Sequence, residues 1–188
     1  KAHSTSVSEY RIIGSGSRQG EKIKVITPTS IMASIEFVSK AIIQVFFSFD
    51  VINHKRNHIE LYGTKGSLIV PDPNMFGGTV LTSFTEGGMW NEHPTENMRL
   101  GKINVINHSG RSNESPSNAN YRGVGLSEMI DSIENNKQNR CSGELVLHVL
   151  DIMDSTIRSA AVNASINILT TCKKPETFQE SQIAKLML

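Results

Sequence analysis

Cysteines, aromatic residues and long apolar runs are all scarce in this sequence of 188 residues. The only cysteines, Cys141 and Cys172, lie far apart and form no Cys-x-x-Cys pair, which argues against a disulfide framework and favours a reducing compartment. No run approaches the length of a membrane span, and the first residues lack the apolar segment of a secretion signal. We therefore expect a cytoplasmic protein.

An excess of charge is also missing, since 19 Lys and Arg residues face 18 Asp and Glu residues. The basic residues are dispersed, so the sequence offers no positive patch for DNA, RNA or an anionic membrane. Aromatic residues make up only 6% of the chain, which counts against a carbohydrate-binding module with exposed rings. What remains is a globular protein long enough for one domain with a core.

The stretch from His58 to Pro73 predicts a β-hairpin. Apolar residues alternate with others on both sides of Thr64-Lys65, and Gly63 and Gly66 bracket a turn that needs a positive φ. Proline has no amide hydrogen for a ladder, so Pro71-Asp-Pro-Asn74 ends the second strand.

Runs rich in β-branched and aromatic residues predict further strands. They are Tyr10 to Ile13, Lys22 to Thr27, Ser30 to Phe37, Ala41 to Val51, Phe76 to Phe84 and an arm ending near His93-Pro94. Ala41 to Phe49 is apolar at most positions, so we expect a central strand with both faces covered. The glycine run from Gly14 to Gly20 lacks the spacing of a dinucleotide fingerprint and precedes a strand, so we expect a loop there.

Helical spacing begins after a polar stretch that extends from Asn97 to Asn120. Apolar residues from Leu126 to Ile133 recur at i, i+3, i+4 and i+7, which predicts a helix ending at Asn135-Asn136. A second, longer helix begins after Ser142 as N-cap, and Lys173-Lys174 suits its C-terminus.

The second helix is expected to be amphipathic. Its predicted buried face consists of Leu145, Val149, Ile152, Met153, Thr156, Ile157 and Ala160. The opposite, polar face carries Glu144, His148, Asp151, Ser155 and Arg158. His148, flanked by two carboxylates, is either a tuned acid or base or simply part of a solvated or hydrogen-bonded face.

Consecutive strands followed by two helices predict an α+β fold, an open and largely antiparallel or mixed β-sheet with helices packed on one face. The other face is left apolar enough to need a partner, so we expect a homo-oligomer through it. We expect one domain over residues 1–188. Its predicted segments are a leader (1–20), strands (22–96), a polar loop (97–120), two helices (125–172) and a tail (173–188).

Three blocks of the sequence carry a family resemblance. They are Ile59-Glu-Leu-Tyr-Gly-Thr-Lys-Gly-Ser-Leu68 with Pro71-Asp-Pro-Asn74, Arg122-Gly-Val-Gly-Leu-Ser-Glu-Met129 and Ser142-Gly-Glu-Leu-Val-Leu-His-Val-Leu-Asp151. In this order, within about Lys22 to Ala160, they resemble the C-terminal domain of the Gfo/Idh/MocA oxidoreductases, the family of glucose-fructose oxidoreductase and inositol dehydrogenase.

The resemblance implies a two-domain NAD(P)-dependent enzyme that transfers a hydride to or from a sugar, a polyol or a related compound. An N-terminal Rossmann domain would bind the NAD or NADP, and the open sheet would supply part of the substrate cleft and the oligomer interface. The sequence shows neither the Gly-x-Gly-x-x-Gly unit nor the Glu-Lys-Pro motif of that first domain. We therefore expect a fragment of a longer enzyme, inactive alone, with no catalytic, cofactor-binding or metal-binding residue of its own.

Four residues are candidates for the wall of a substrate cleft: Tyr121 and Arg122 after the polar loop, and His54 and Arg56 before the hairpin. Hydroxyl-rich substrates need several donors and acceptors, which these side chains supply. The plainer interpretation of each is a surface or interface group. His54 also stands four residues from His58, a metal-ligand spacing on a helix, but the segment lies between strands. The alternative functions are a stand-alone interaction or scaffold protein and a carbohydrate-binding module without catalysis.

Overall fold

The structure is a computed structural model that describes residues 1–104, 119, 121 and 123–186. It divides into two compact units, one of Lys1–His54 with Ser142–Lys174 and one of Lys55–Cys141 with Pro175–Leu188. Antiparallel sheets combine with helices, which confirms the predicted α+β class. The single domain over residues 1–188 stays a prediction.

The elements of the described residues follow in chain order. They are β1 (Ala2–Thr5), β2 (Tyr10–Ile12), β3 (Lys22–Lys24), β4 (Ser30–Glu36), β5 (Ile42–Ser48), β6 (Ile59–Gly63), β7 (Gly66–Val70), a 3₁₀ turn (Pro73–Met75), β8 (Thr79–Ser83), β9 (Asn91–Pro94), α1 (Val124–Glu134), α2 (Gly143–Val162) and α3 (Glu180–Leu186). No helix among these residues is long and apolar enough to cross a membrane.

The first unit contains a three-stranded sheet in the order β1-β4-β5, and β2 and β3 form a separate hairpin. β1 lies within the segment predicted as a leader, residues 1–20, in which only Tyr10 to Ile13 was predicted as a strand. Ala2 pairs with Ala33, and both are buried beneath α2. The Ala2 amide donates to Ser159 Oγ at 3.0 Å, so small side chains bring the helix backbone close to the sheet.

The predicted buried face of α2 is wrong for Val149, Met153 and Ile157. Ser155 and Ser159, which are 3% and 4% exposed, lie at the centre of the inward face. Met153 is 59% exposed, and Val149 and Ile157 are exposed as well. The helix presents its small hydroxyl-bearing side chains to the sheet because these allow closer packing and a hydrogen bond to the strand backbone.

The predicted start of α2 is confirmed and its predicted end is wrong. Ser142 caps the helix by accepting from the Leu145 amide at 3.3 Å. The helix ends at Val162, because Asn163 takes a left-handed conformation with a φ of 52°. The chain from Asn163 to Lys174 has no helix, whereas α3 lies in the predicted tail.

β5 occupies the edge of the three-stranded sheet, so its prediction as the central strand is wrong. β4 takes the centre, because β1 pairs with its other side. Ile42 and Phe47 on β5 are 64% and 67% exposed, which also contradicts two covered faces.

A polar network anchors the end of β5. Asp50 Oδ2 accepts from Thr29 Oγ1 and from Ser30 Oγ, both at 2.6 Å, and Oδ1 accepts from Arg11 Nη2 at 3.1 Å. The hydrogen bonds from Ser30 and Thr29, with a smaller contribution from Arg11, lower the pKa of Asp50. The ionised carboxylate thereby fastens β2 and β4 to the end of β5.

The second unit contains a four-stranded antiparallel meander, β6-β7-β8-β9. Gly63 pairs with Gly66 across the predicted hairpin turn, which is confirmed. Gly66 has a φ of 152°, and a Cβ there would lie 2.7 Å from the Ser83 carbonyl oxygen and 2.6 Å from a Phe84 ring carbon. This turn therefore requires glycine for close approach as well as for backbone conformation.

Glu128 on α1 holds the helical part of the second unit. Its nearly buried carboxylate accepts from Arg140 Nη1 at 3.1 Å, from the Arg140 amide at 3.2 Å and from Asn139 Nδ2. The same guanidinium donates to Gln182 Oε1 on α3 at 3.1 Å and lies 3.9 Å from the centre of the Phe178 ring. One ion pair thus connects α1, α3 and the chain between them.

Candidate functional site

A shallow depression of about 400 Å³ lies on one face of the β6–β9 sheet. The side chains of Ile69, Leu81 and Pro71 supply apolar lining, whereas Arg56 and Glu92 supply charges of opposite sign. The remaining lining residues are Asn57, His58, Val70 and Thr79. An apolar floor with a polar rim is the usual form of a small-molecule site.

The strand register explains how these side chains meet. Glu60 pairs with Ile69, Ile69 with Leu81, and Leu81 with Glu92. Directly paired residues project to the same face of a sheet, so one row crosses four strands with a carboxylate at each end. Thr79, two residues before Leu81, projects to this face as well. The floor of the depression is therefore built on strands, which also fix Thr79 and Glu92, whereas Arg56, Asn57 and His58 come from the segment before β6.

Glu60 is the best-defined polar group beside the depression. Its carboxylate accepts from Asn57 Nδ2 at 2.8 Å and from the hydroxyl of Tyr62. These bonds, that of Tyr62 first, lower the pKa of Glu60, and the positive charge of Arg56 acts in the same direction. The hydrogen bond to Glu60 in turn raises the pKa of Tyr62. Glu60 is therefore an ionised acceptor at neutral pH, and Tyr62 is a neutral phenol.

The chemistry of the rim is that of hydrogen bonding to hydroxyl groups. Arg56 and Asn57 are donors, Glu92 is an acceptor, and the Thr79 hydroxyl can be either. Within the described ranges, no group of three or more His, Cys, Asp or Glu side chains is arranged to hold a metal ion. The arrangement is suited to binding and orienting a polar compound that has an apolar face.

The structure places the four predicted site residues in different surroundings. Arg56 lines the depression. Tyr121 is buried, with its ring centre 4.9 Å from that of Phe76, and it is not part of the lining. His54 is exposed and belongs to the first unit. Arg122 lies outside the described residues. A role for any of the four in substrate binding stays a prediction.

His148 takes part in a hydrogen-bonded chain in the first unit. Its Nδ1 lies 3.0 Å from Thr170 Oγ1, and that hydroxyl donates to Asp151 Oδ2 at 2.8 Å. Asp151 also accepts from the Thr170 amide at 3.0 Å and the Leu169 amide at 3.2 Å, and these bonds, those of Thr170 first, lower its pKa. The half-buried His148 is therefore part of a hydrogen-bonded face, which is the second of its two predicted interpretations.

Sequence reasoning missed Glu60, Thr79 and Glu92 as possible binding groups. The hairpin pattern already placed Glu60 beside Ile69, and this signal could have been used. Glu92 gave no signal of its own, because its position depends on the register between β8 and β9 across the turn after Ser83.

Comparisons of this chain with protein-family models, with curated proteins and with solved structures find no match.

Proposed function

We propose that this chain is the substrate-binding and oligomerisation part of an NAD(P)-dependent dehydrogenase, one that transfers a hydride to or from a sugar, a polyol or a related compound. The observation that carries the proposal is the depression on the β6–β9 sheet. Its apolar floor suits the C–H face of such a compound, while Arg56, Asn57, Thr79 and Glu92 suit its hydroxyl groups. The motif resemblance supplies the reaction class.

Exposed apolar helix faces support a further domain. Val146, Leu150 and Met153 on α2 are 52%, 57% and 59% exposed, and on α1 Leu126 and Ile133 are 63% and 74% exposed. Exposed apolar side chains grouped on one helix face mark an interaction site. We infer that these helix faces contact the nucleotide-binding domain, which would bind NAD or NADP and supply the catalytic residues.

The proposal also includes self-association through the open face of the β1-β4-β5 sheet. Met32 and Phe46 are paired on one face of that sheet and are 55% and 48% exposed. A cytoplasmic location completes the proposal, supported by Cys141 and Cys172, which are free thiols.

The first test is the intact mass of the protein as its native host produces it. We expect a polypeptide longer than these 188 residues by a nucleotide-binding domain of roughly 100–150 residues. The same preparation should reduce NAD or NADP with at least one member of a panel of sugars and polyols, measured by the absorbance of the reduced nicotinamide.

Variants of that native-length protein test the depression itself. Arg56→Ala and Glu92→Gln should each raise KM for the substrate roughly tenfold or more and alter kcat less, because each removes a hydrogen bond to the bound compound. Arg18→Ala is the matched control, since Arg18 is exposed and pairs only with Glu21 among described carboxylates. Unchanged KM values in both test variants would mean that the substrate binds outside this depression.

A native polypeptide of only these residues, without any nicotinamide-dependent reaction, would contradict the dehydrogenase proposal. Sugar binding by that polypeptide would then favour a carbohydrate-binding module. Absence of sugar binding would favour an interaction or scaffold protein, for which the exposed apolar faces are the supporting observation.

A further inference from the structure

The outer edge of β5 has no strand beside it among the described residues. Two backbone bonds just beyond the ends of the β4–β5 ladder show its phase: the Phe37 amide donates to the Ala41 carbonyl, and the Phe49 amide donates to the Thr29 carbonyl. Because bonded pairs alternate along an antiparallel ladder, the odd-numbered residues of β5 are the ones that bond β4. The amides and carbonyls of the even-numbered residues therefore point outward. These residues are Ile42, Gln44, Phe46 and Ser48.

The β5 strand itself has none of the sequence features that normally prevent strand addition. Charged residues, proline, bulges and a short strand usually protect an edge. β5 has seven residues in regular register with β4, and it contains no charge and no proline. Its backbone is therefore available to pair with another strand.

The side chains of β5 complement a second copy of themselves. In an antiparallel pair centred on Val45, all seven residues overlap, and Ile43 of each copy faces Phe47 of the other. Ile43 is 44% exposed and Phe47 67% exposed, and a β-branched residue opposite an aromatic one is a favourable cross-strand pair. In this register each residue whose amide and carbonyl point outward faces another such residue, so these backbone groups can form the ladder.

We propose that two copies of this chain associate through β5, in an antiparallel pair with its two-fold axis at Val45. The two three-stranded sheets then form one six-stranded sheet in the order β1-β4-β5-β5-β4-β1. This contact uses the strand edge, so it is distinct from self-association through the open sheet face, and it does not depend on the dehydrogenase function.

Gln44→Pro tests the ladder in the full chain. Proline removes the outward amide of residue 44 and leaves the bonds between β4 and β5, which odd-numbered residues make. We expect the dimer dissociation constant to rise roughly tenfold or more, because two symmetric hydrogen bonds are lost. Gln44→Thr changes the side chain, keeps the amide and should leave the constant near that of the wild type. Analytical ultracentrifugation measures the constants, and far-ultraviolet circular dichroism verifies that both variants are folded.

A cysteine at the axis tests the register independently. In a chain that also carries Cys141→Ser and Cys172→Ser, Val45→Cys should form an intermolecular disulfide on mild oxidation, since residue 45 faces its own copy. Ile43→Cys in the same background should not, because the two copies of residue 43 lie four residues apart along the ladder.

Three results would overturn the proposal. One is a wild-type protein that stays monomeric at high micromolar concentration. Another is a dimer that is equally stable with Gln44→Pro, which would place the contact on another surface. The third is protection of the Gln44 and Phe46 amides from hydrogen exchange in the monomer, which would mean that the chain covers its own edge.

Discussion

In the first unit α2 is fastened by neutral donors, and in the second α1 is fastened by a cation. Asp151 on α2 accepts from hydroxyl and amide groups of Thr170 and from the Leu169 amide. Glu128 on α1 accepts from the guanidinium of Arg140, which bonds α3 in addition. Both helices nevertheless turn polar side chains inward and leave most of their large apolar residues exposed.

The comparison shows that an apolar stripe does not by itself identify the face that a helix packs on its own sheet. In α2 the serines four residues apart allow close backbone approach, so they occupy the inward face. Val146, Leu150, Met153 and Ile157 form an exposed stripe with spacings of four, three and four residues, which is typical of a helix that packs against another helix. Such a stripe predicts that a partner exists, without specifying whether the partner lies within the unit.

The largest expected effect on stability comes from removing the ion pair between Glu128 and Arg140 in the second unit. Glu128→Ala leaves Arg140 without its nearly buried carboxylate and should lower the free energy of unfolding by about 3–5 kcal/mol. Asp131→Ala is the control on the same helix, since Asp131 forms an exposed pair with Lys137 and should change stability by less than about 1 kcal/mol. Urea unfolding followed by circular dichroism measures both, and similar losses would contradict the central role of Glu128.

A smaller effect on stability is expected at the hairpin turns, and its direction differs between the two units. Gly66→Ala in the second unit should cost about 1–3 kcal/mol, because the added Cβ meets the Ser83 carbonyl oxygen. Lys40 in the first unit already adopts a φ of 69°, so Lys40→Gly should be neutral or stabilise by up to about 1 kcal/mol. Gly63→Ala, where a Cβ has only an ordinary contact at 3.5 Å, is the control. Thermal unfolding of the three variants decides the order.

A local effect is expected when the fastening of the first unit is removed. Asp151→Ala should speed hydrogen exchange at the Leu169 and Thr170 amides, because their acceptor is lost. Asp154→Ala, on the same helix but with an exposed pair to Arg158, should leave both amides unchanged. If exchange at these amides were equal in the two variants, another group would hold this segment to α2.

The smallest effect is the dependence of stability on pH. The pKa values of Asp50 and Asp151 are lowered below 3.8 in the folded state, so their contribution is present above the unfolded-state pKa and is lost as the pH falls through the folded-state values. The contribution of these two carboxylates should therefore be lost as the pH falls below about 4. Asp50→Asn should reduce the loss of stability at acid pH, measured by urea unfolding at several pH values. An unchanged loss would exclude Asp50 as a contributor.

Local patterns predicted most of the elements correctly. The hairpin of β6 and β7 was predictable because two glycines, alternation and a following proline agree over one short stretch. The start of α2 was predictable because Ser142 can cap it locally. The end of α2 was not predicted, because the basic pair and proline at Lys173 to Pro175 gave a later stop signal, whereas the helix ends where Asn163 takes a left-handed conformation.

The candidate site was predictable only in part. Arg56 was selected as a polar group beside a hairpin, and it does line the depression. Tyr121 was selected for its hydroxyl and its position after a polar loop, but its ring packs against Phe76 because a large aromatic side chain gains more from burial than from exposure.

The sequence alone determined the α+β class, the positions of most strands and helices, and the near balance of positive and negative charges. These properties follow from neighbouring residues, since alternation, helical spacing, capping and turn chemistry act over a few positions. Only the tertiary structure decided that β5 lies at an edge, that α2 packs through Ser155 and Ser159, and that Glu92 joins Arg56 at one depression. Those outcomes depend on which strands pair and in what register, and this is decided by packing between residues far apart in the chain.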